Sequence, residues 1–206
     1  MGRGRHAGYD EQREMILARA AELFARNGYQ GTSMNQVAEA CGLSKATLYH
    51  YYRDKYALLV SIADGHVTRL RAIVDDAVTG EHTPQGQMRA LVRRLVEEYA
   101  SAQHEHRVLT EDVKFLAPED RDRILGKERE VVAGFARVVA ALRPDLKEAA
   151  MSKPLTMLLF GMVNWMFTWM KPEGRLAYDD MAPVVSDLFL GGLEKVKAPV
   201  PAAALD

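Results

Sequence analysis

Cysteine is almost missing from this chain, and its scarcity excludes several classes of protein. Cys41 stands alone among 206 residues, which rules out an internal disulfide framework and fits a reducing cytoplasm. No apolar run reaches the roughly 18 uncharged residues of a membrane span. The opening MGRGRHAGYDEQRE is basic but has no apolar stretch, so it does not read as a signal peptide. Strand-like alternation is lacking, and so are a glycine-rich phosphate loop, a G-x-S-x-G elbow and an H-E-x-x-H pair. These absences leave an all-α, soluble, cytoplasmic protein with no sequence ground for an enzyme.

What remains is an ordinary globular composition with an uneven charge. Hydrophobic residues make up 48% and charged residues 27% of the chain, enough to bury a sizeable core in one or two domains. The net charge is −1, yet the first 55 residues carry eight Lys/Arg against six Asp/Glu, and the rest nineteen against twenty-two. A small basic head on an acidic body has this distribution, although solvated charged faces produce it too.

Helical periodicity runs through the chain. A first helix is expected from about Asp10 to Arg26, with Met15, Ile16, Ala20, Leu23 and Phe24 at three- and four-residue spacing and Asn27-Gly28 as its C-cap. Ser33-Met34-Asn35-Gln36 has the form of a capping box and opens a short second helix that stops at Gly42. Ser44 caps a third helix over Lys45–Tyr51, and Asp54 a fourth from Lys55 to about Val78. Further helices are expected over Gln85–His104, Val108–Leu116, Glu119–Leu142, Asp145–Met170 and Asp179–Lys197, about nine in all, with Pro154 the main proline inside a periodic segment. The predicted domains are a head over 1–52, a larger helical body over 53–197 and a tail over 198–206 that frays.

Two short helices around a glycine turn cannot form a core alone. Phe24, Met34, Val37, Ala38, Leu43, Leu48 and Tyr52 are therefore expected to turn inward against the first helix. The third helix then presents Ser44, Lys45, Ala46, Thr47, Tyr49 and His50. That face is small at its front, polar throughout and carries one cation, which suits a helix approaching base edges in a DNA major groove. Lys45 and Thr47 have the reach for bases or nearby phosphates, Ala46 suits a thymine methyl, and Tyr49 and His50 suit phosphates. Thr32 and Ser33 stand at a helix N-terminus, where free N–H groups attract anions, and Lys55 brings a charge to the start of the next helix. Arg3 and Arg5 are expected in a flexible basic arm able to enter a minor groove.

The run TSMNQVAEACGLSKATLYHYYRDK, Thr32 to Lys55, resembles the signature of the TetR family of repressors, and the similarity extends from Gly28-Tyr29 to Leu58-Leu59. Two positions depart from the pattern: Cys41 where a small residue is usual, and Tyr52 where phenylalanine is frequent. Cys41 is expected to be a small buried residue, with a redox sensor as the alternative. The resemblance implies a homodimer on a palindromic operator. It also implies an all-helical C-terminal domain that holds a small-molecule effector and pairs with a second subunit.

The body fits in outline. Met157, Leu158, Leu159, Met162, Val163, Met166 and Phe167 nearly surround one helix, and a helix apolar on several faces must bury them all. One face would meet its own core and another a partner. The last two helices, Leu155–Met170 and Asp180–Lys197, are thus the expected dimer interface, with interior helices of a monomer as the alternative. Asn164, Trp165, Trp169, Met162 and Met166 form a stripe that reads either as core or as an adaptable pocket wall. Its Asn-Trp…Trp…Pro-x-Gly pattern resembles TetR members that respond to acyl-CoA thioesters, among them fatty-acyl, phenylacetyl and steroid-fragment CoAs. A repressor of efflux or detoxification genes answering to hydrophobic drugs is the other reading.

The expected effector-binding residues are Tyr99, Asp112, Phe115, Met162, Asn164, Trp165 and Trp169, with His106 and Glu111 on the same lining helices. Arg89, Arg93 and Arg94 are candidates for a CoA phosphate. No cofactor is expected beyond that effector. Gln103-His104-Glu105-His106 raises a metal site, against exposed polar residues at a helix end. Two His two residues apart diverge by about 200° on a straight helix, so the metal reading needs a bend near Arg107 and a ligand such as Asp112.

Overall fold

A computed structural model describes residues 3–170 and 174–198, with side chains from residue 8 onward. Pro172 and Glu173 of the expected Pro-x-Gly pattern, and residues 199–206 of the tail, lie outside the described residues. Among the described residues ten α-helices follow one another: α1 (Arg3–Asn27), α2 (Met34–Ala40), α3 (Lys45–Tyr51), α4 (Lys55–Gly80), α5 (Pro84–Ser101), α6 (Gln103–Glu111), α7 (Pro118–Leu142), α8 (Pro144–Glu148), α9 (Ser152–Trp169) and α10 (Tyr178–Lys195). A short 3-10 turn occupies Val113–Phe115, and no strand occurs among the described residues. The expected all-α class is the observed one.

The local signals in the head act as their chemistry predicts. Ser33 Oγ accepts the Gln36 N–H at 3.3 Å while Gln36 Oε1 accepts the Ser33 N–H at 2.8 Å, so two orphan donors of α2 are met reciprocally. Ser44 Oγ accepts the Thr47 N–H at 3.1 Å and starts α3. Asp54 Oδ1 accepts the Ala57 N–H at 2.7 Å and starts α4. Between α2 and α3 the chain reverses at Gly42, whose φ of +64° is a conformation that side chains with a Cβ resist.

Helix boundaries differ from expectation at three places. The first helix begins at Arg3 rather than Asp10, so the backbone of the expected arm is helical; the side chains of Arg3 and Arg5 lie outside the described ones. The break expected near Arg107 falls at Ala102, which puts His104 and His106 together on one unbroken α6. The long helix expected over 145–170 is two helices. Pro154 is the third residue of α9, where a missing N–H is harmless, whereas a continuous helix would drive its ring against the carbonyl of residue 150. Pro183 is a second proline inside a helix, in α10.

The chain passes between α8 and α9 through Ala150 at φ +56°, with the Met151 N–H returning to the Leu146 carbonyl at 2.8 Å. That six-to-one closure is the usual end of a helix, but glycine is its usual residue. Ala150→Gly should therefore raise stability by about 1 kcal/mol by relieving the left-handed strain, read as a higher urea midpoint at unchanged slope. A lower midpoint would show that the turn is not strained.

Two compact units arise from the contacts. The first comprises Met1–Arg69 and Ala102–Gly126, the second Leu70–Ser101 and Lys127–Asp206. The first is built around Ile16, Phe24, Val37, Leu48, Leu58, Leu59, Ile62 and Val67, closed by Val108, Leu109, Leu116 and Ile124. The second packs Met88, Leu91, Leu95 and Val96 of α5 with Phe135 and Val139 of α7, Leu159 and Val163 of α9, and Val185 and Phe189 of α10. Helix α4 contributes residues 55–69 to the first unit and 70–80 to the second.

Candidate nucleic-acid interface

The head's inward set is observed as expected: Phe24, Met34, Val37, Ala38, Leu48 and Tyr52 are buried, and Leu43 packs half-buried against them. With these residues inside, Ser44, Lys45, Ala46, Thr47, Tyr49 and His50 are all exposed on α3. The helix contains no acidic residue. Ser44 and Thr47 hydroxyls meet at 2.7 Å at its front, and the Lys45 ammonium lies 5.9 Å from the centre of the Tyr49 ring. An exposed helix face of small and hydroxyl side chains, one cation and no carboxylate can lie close to a polyanion and still offer hydrogen bonds.

The side chains of Thr32 and Lys55, both expected beside phosphates, are engaged within the head. Thr32 is 2% exposed, and its hydroxyl donates to the Gly28 carbonyl at 3.0 Å and the Leu23 carbonyl at 3.3 Å. The Lys55 ammonium donates to the Tyr29 and Thr32 carbonyls at 2.7 Å each and to the Gln30 carbonyl at 3.4 Å, over the Tyr29 ring at 4.5 Å. Both side chains hold the loop between α1 and α2. That loop leaves carbonyls without helical partners, and the nearest strong donors satisfy them. The Lys55 charge still stands beside a surface cleft of about 470 Å³ lined by Ser33, Asn35, Lys45 and Tyr49.

The residues expected to line an effector chamber come from both compact units. Asp112 and Phe115 belong to the first unit, Tyr99, Met162, Asn164, Trp165 and Trp169 to the second. Asp112 is buried and accepts the Tyr29 N–H; burial pushes its carboxyl up while that hydrogen bond pulls it back. The Phe115 ring lies 5.4 Å from the Tyr29 ring, so this pair also braces the head's loop. Tyr99 is buried edge-on to Phe167, which stacks on Tyr178. Burial raises the Tyr99 hydroxyl far above its usual range, with Glu128 and Glu98 adding to the rise. Met162 is half-buried and Asn164 exposed. Trp165 and Trp169 are 67% and 53% exposed, on the surface of the chain.

The metal reading finds no support in the side chains. His104 is exposed, His106 faces His66, and among the described residues no three His, Cys, Asp or Glu side chains gather as a metal site requires. Cys41 is half-buried, not buried, and burial pushes its thiol up, away from the thiolate a redox sensor needs. Arg89 pairs with Asp187 at 2.7 Å, Arg93 with Glu97 at 3.7 Å and Arg94 with Asp76 at 3.3 Å, so each candidate for a phosphate already has a carboxylate.

Two polar clusters escaped the sequence reading. The Tyr56 hydroxyl donates to Asp120 at 2.7 Å and accepts the Ala117 N–H at 3.0 Å, while Arg123 bridges Asp120 and Asp64. His66, on α4, is fully buried with its Nε2 3.2 Å from His106 Nδ1. The signal for His66 was present: it lies four residues from Ile62 and Leu70, on the apolar stripe of α4. Nothing local marks Tyr56, because its partner is 64 residues away.

Residues 16–62 match the family described as bacterial regulatory proteins, tetR family, and residues 81–193 match the tetracyclin repressor-like C-terminal domain. The crystal structure of a TetR-family transcriptional regulator from Bordetella parapertussis 12822 is similar at a TM-score of 0.82 and 34% identity, covering 91% of this chain and 98% of that one. The structure of AibR in complex with isovaleryl coenzyme A and operator DNA is similar at a TM-score of 0.73 and 25% identity, over 86% of this chain and 97% of that one. In sequence, the transcriptional activator FasR of Mycolicibacterium smegmatis is 31% identical over 90 residues, which span 44% of this chain and 41% of that protein.

Proposed function

This chain belongs to the TetR family of bacterial regulatory proteins, and from that premise we propose that it is a ligand-responsive repressor. It binds a palindromic operator as a homodimer through α3 and is released by a small apolar effector, an acyl-CoA thioester. The exposed, acid-free face Ser44–His50 carries the DNA part of this reading. Residues 53–197 serve as effector-binding and dimerisation body. Support for the thioester is the likeness to AibR, which was crystallised with isovaleryl coenzyme A and operator DNA.

Helix α4 is the natural transmitter, since one unbroken helix contributes to both compact units. An effector that favours a different setting of α4 changes the spacing of the two heads. By linkage it must bind the DNA-free state more tightly, by about 1–3 kcal/mol.

Mobility shifts on DNA selected from random sequence test the reading, and absence of any salt-sensitive, sequence-dependent shift would sink it. Lys45→Ala should weaken binding several-fold and lower the salt slope by about one, with an unchanged melting temperature. Lys55→Ala should instead lower the melting temperature, by about 1.5–3 kcal/mol of stability, because three carbonyls lose a charged donor. Equal melting temperatures for the two variants would contradict the loop-holding role. Titrating the DNA complex with isovaleryl-, phenylacetyl- and palmitoyl-CoA and their free acids tests the effector. Release by the acids alone would end the thioester assignment, and release by hydrophobic drugs alone would favour a detoxification repressor.

A further inference from the structure

Tyr9 and Tyr51 stack with ring centroids 4.8 Å apart and planes 26° from parallel. Tyr9 lies on α1, and Tyr51 is the last residue of α3. A second contact joins the same two stretches, the Arg13 guanidinium lying 5.5 Å from the centre of the Tyr52 ring. Tyr51 in turn meets His50 edge-on at 5.7 Å, and His50 is on the exposed face of α3. An aromatic chain Tyr9–Tyr51–His50 thus ties the start of α1 to the end of the reading helix.

The head does not need this chain to close its core. Ile16, Phe24 and Leu48 are already at most 1% exposed, whereas Tyr9 is 38% exposed. What Tyr9 does is set where α1 goes next. The helix continues back to Arg3, six residues and about 9 Å beyond Tyr9. Residues 1–9 contain Arg3, Arg5 and His6 and no acid, the first being Asp10. Gly8 sits in this turn with open space around it, and glycine weakens a helix, so a contact from outside the helix is what can hold the turn.

We propose that Tyr9 is a positioning residue for operator binding: by stacking on Tyr51 it directs the basic first turns of α1 to the phosphates beside the C-terminal end of α3. This rests on the DNA-binding function proposed above. It makes Arg3 and Arg5 part of a directed helical extension rather than a free arm.

The full-length chain tests it by fluorescence anisotropy, on a duplex selected from random sequence by the wild type, over a range of KCl concentrations. Arg3→Ala/Arg5→Ala should lower the slope of log affinity against log salt by about two, one for each phosphate released. Tyr9→Ala should lower the slope by the same amount and weaken binding at low salt by about tenfold. The triple variant should be no weaker than Tyr9→Ala, and Tyr9→Phe, which keeps the stack, should match the wild type. A wild-type slope in Tyr9→Ala, or losses that simply add in the triple variant, overturns the proposal. If Tyr9→Ala melts below the assay temperature, the double arginine variant decides alone, since it leaves the aromatic contact intact and a wild-type slope there overturns it too. A wild type that selects no duplex is a different result, because it removes the operator reading itself.

Discussion

Leu158→Asp/Leu188→Asp should yield a folded monomer whose operator affinity has fallen by at least about a hundredfold. The two leucines are 66% and 65% exposed in the single chain, so they contribute little to its own core. They belong to apolar stripes on the last two helices: Leu158, Trp165 and Trp169 on α9, and Val184 and Leu188 on α10, all more than two-fifths exposed. Gly161, Gly191 and Gly192 lie along these helices with open space where a side chain would be, which lets a neighbouring backbone come close. Exposed apolar area of this density on one chain calls for a partner, and on the reading above that partner is a second copy.

A carboxylate at either leucine would have to be buried unpaired in the dimer, while it stays hydrated in the monomer. Each head then binds one half-site by itself, and the gain from joining two half-sites disappears. Sedimentation gives the mass. The tryptophans supply a second readout, because the chain has two, Trp165 and Trp169, both on this surface. Their emission should move to the red in the variant as they become wetted. A variant that sediments as a dimer with wild-type emission would place the interface elsewhere.

The second large effect concerns pH. The His66 ring is fully buried, with Arg69 Nη2 3.4 Å from its Nδ1 and His106 Nδ1 3.2 Å from its Nε2. A guanidinium can only donate, so His66 Nδ1 accepts, its Nε2–H donates, and His106 Nδ1 accepts. The arrangement works only while His106 Nδ1 carries no proton. Burial, followed by the neighbouring His66, pushes His106 down from 6.5 to about 4. In the unfolded chain this ring takes up a proton near pH 6.5, in the folded one only near 4, so the unfolded state binds more protons between those values.

Stability from His106 is therefore complete above about pH 6.5 and is lost as the pH falls toward 4, by about 3 kcal/mol in all. Asp112 and Glu128 are shifted upward by burial and act in the opposite sense as they protonate. A comparison isolates the histidine: His106→Asn keeps an acceptor for His66 Nε2–H and does not titrate. The wild type should lose stability relative to His106→Asn on going from pH 7 to pH 4.5, measured by urea unfolding. Parallel curves for the two proteins would show that the ring is not held neutral.

How much was legible in the sequence depended on how local each cause is. Ser33, Ser44 and Asp54 act on backbone groups three residues away, so the starts of α2, α3 and α4 followed from their order alone. The exposed polar face of α3 followed as well, because a short amphipathic helix has one way to bury Leu48 and leave Lys45 outside. The helix break at residue 150 was missed although its cause, Pro154, was in view. A proline disrupts the turn before it, and periodicity alone passes over that turn.

The sequence by itself determined the helical class, the caps, the inward set of the head and the exposed polar face of α3, since each depends on spacing within a few residues. The tertiary structure alone decided what the charged and aromatic side chains do. Lys55 and Thr32, read as phosphate contacts, turn inward to loop carbonyls. Asp112 and Phe115, read as chamber walls, brace Tyr29, and Trp165 and Trp169 face outward. The reason is physical: long polar and aromatic side chains go to whatever donor, acceptor or ring the fold brings within reach, and those partners lie tens of residues away in the chain.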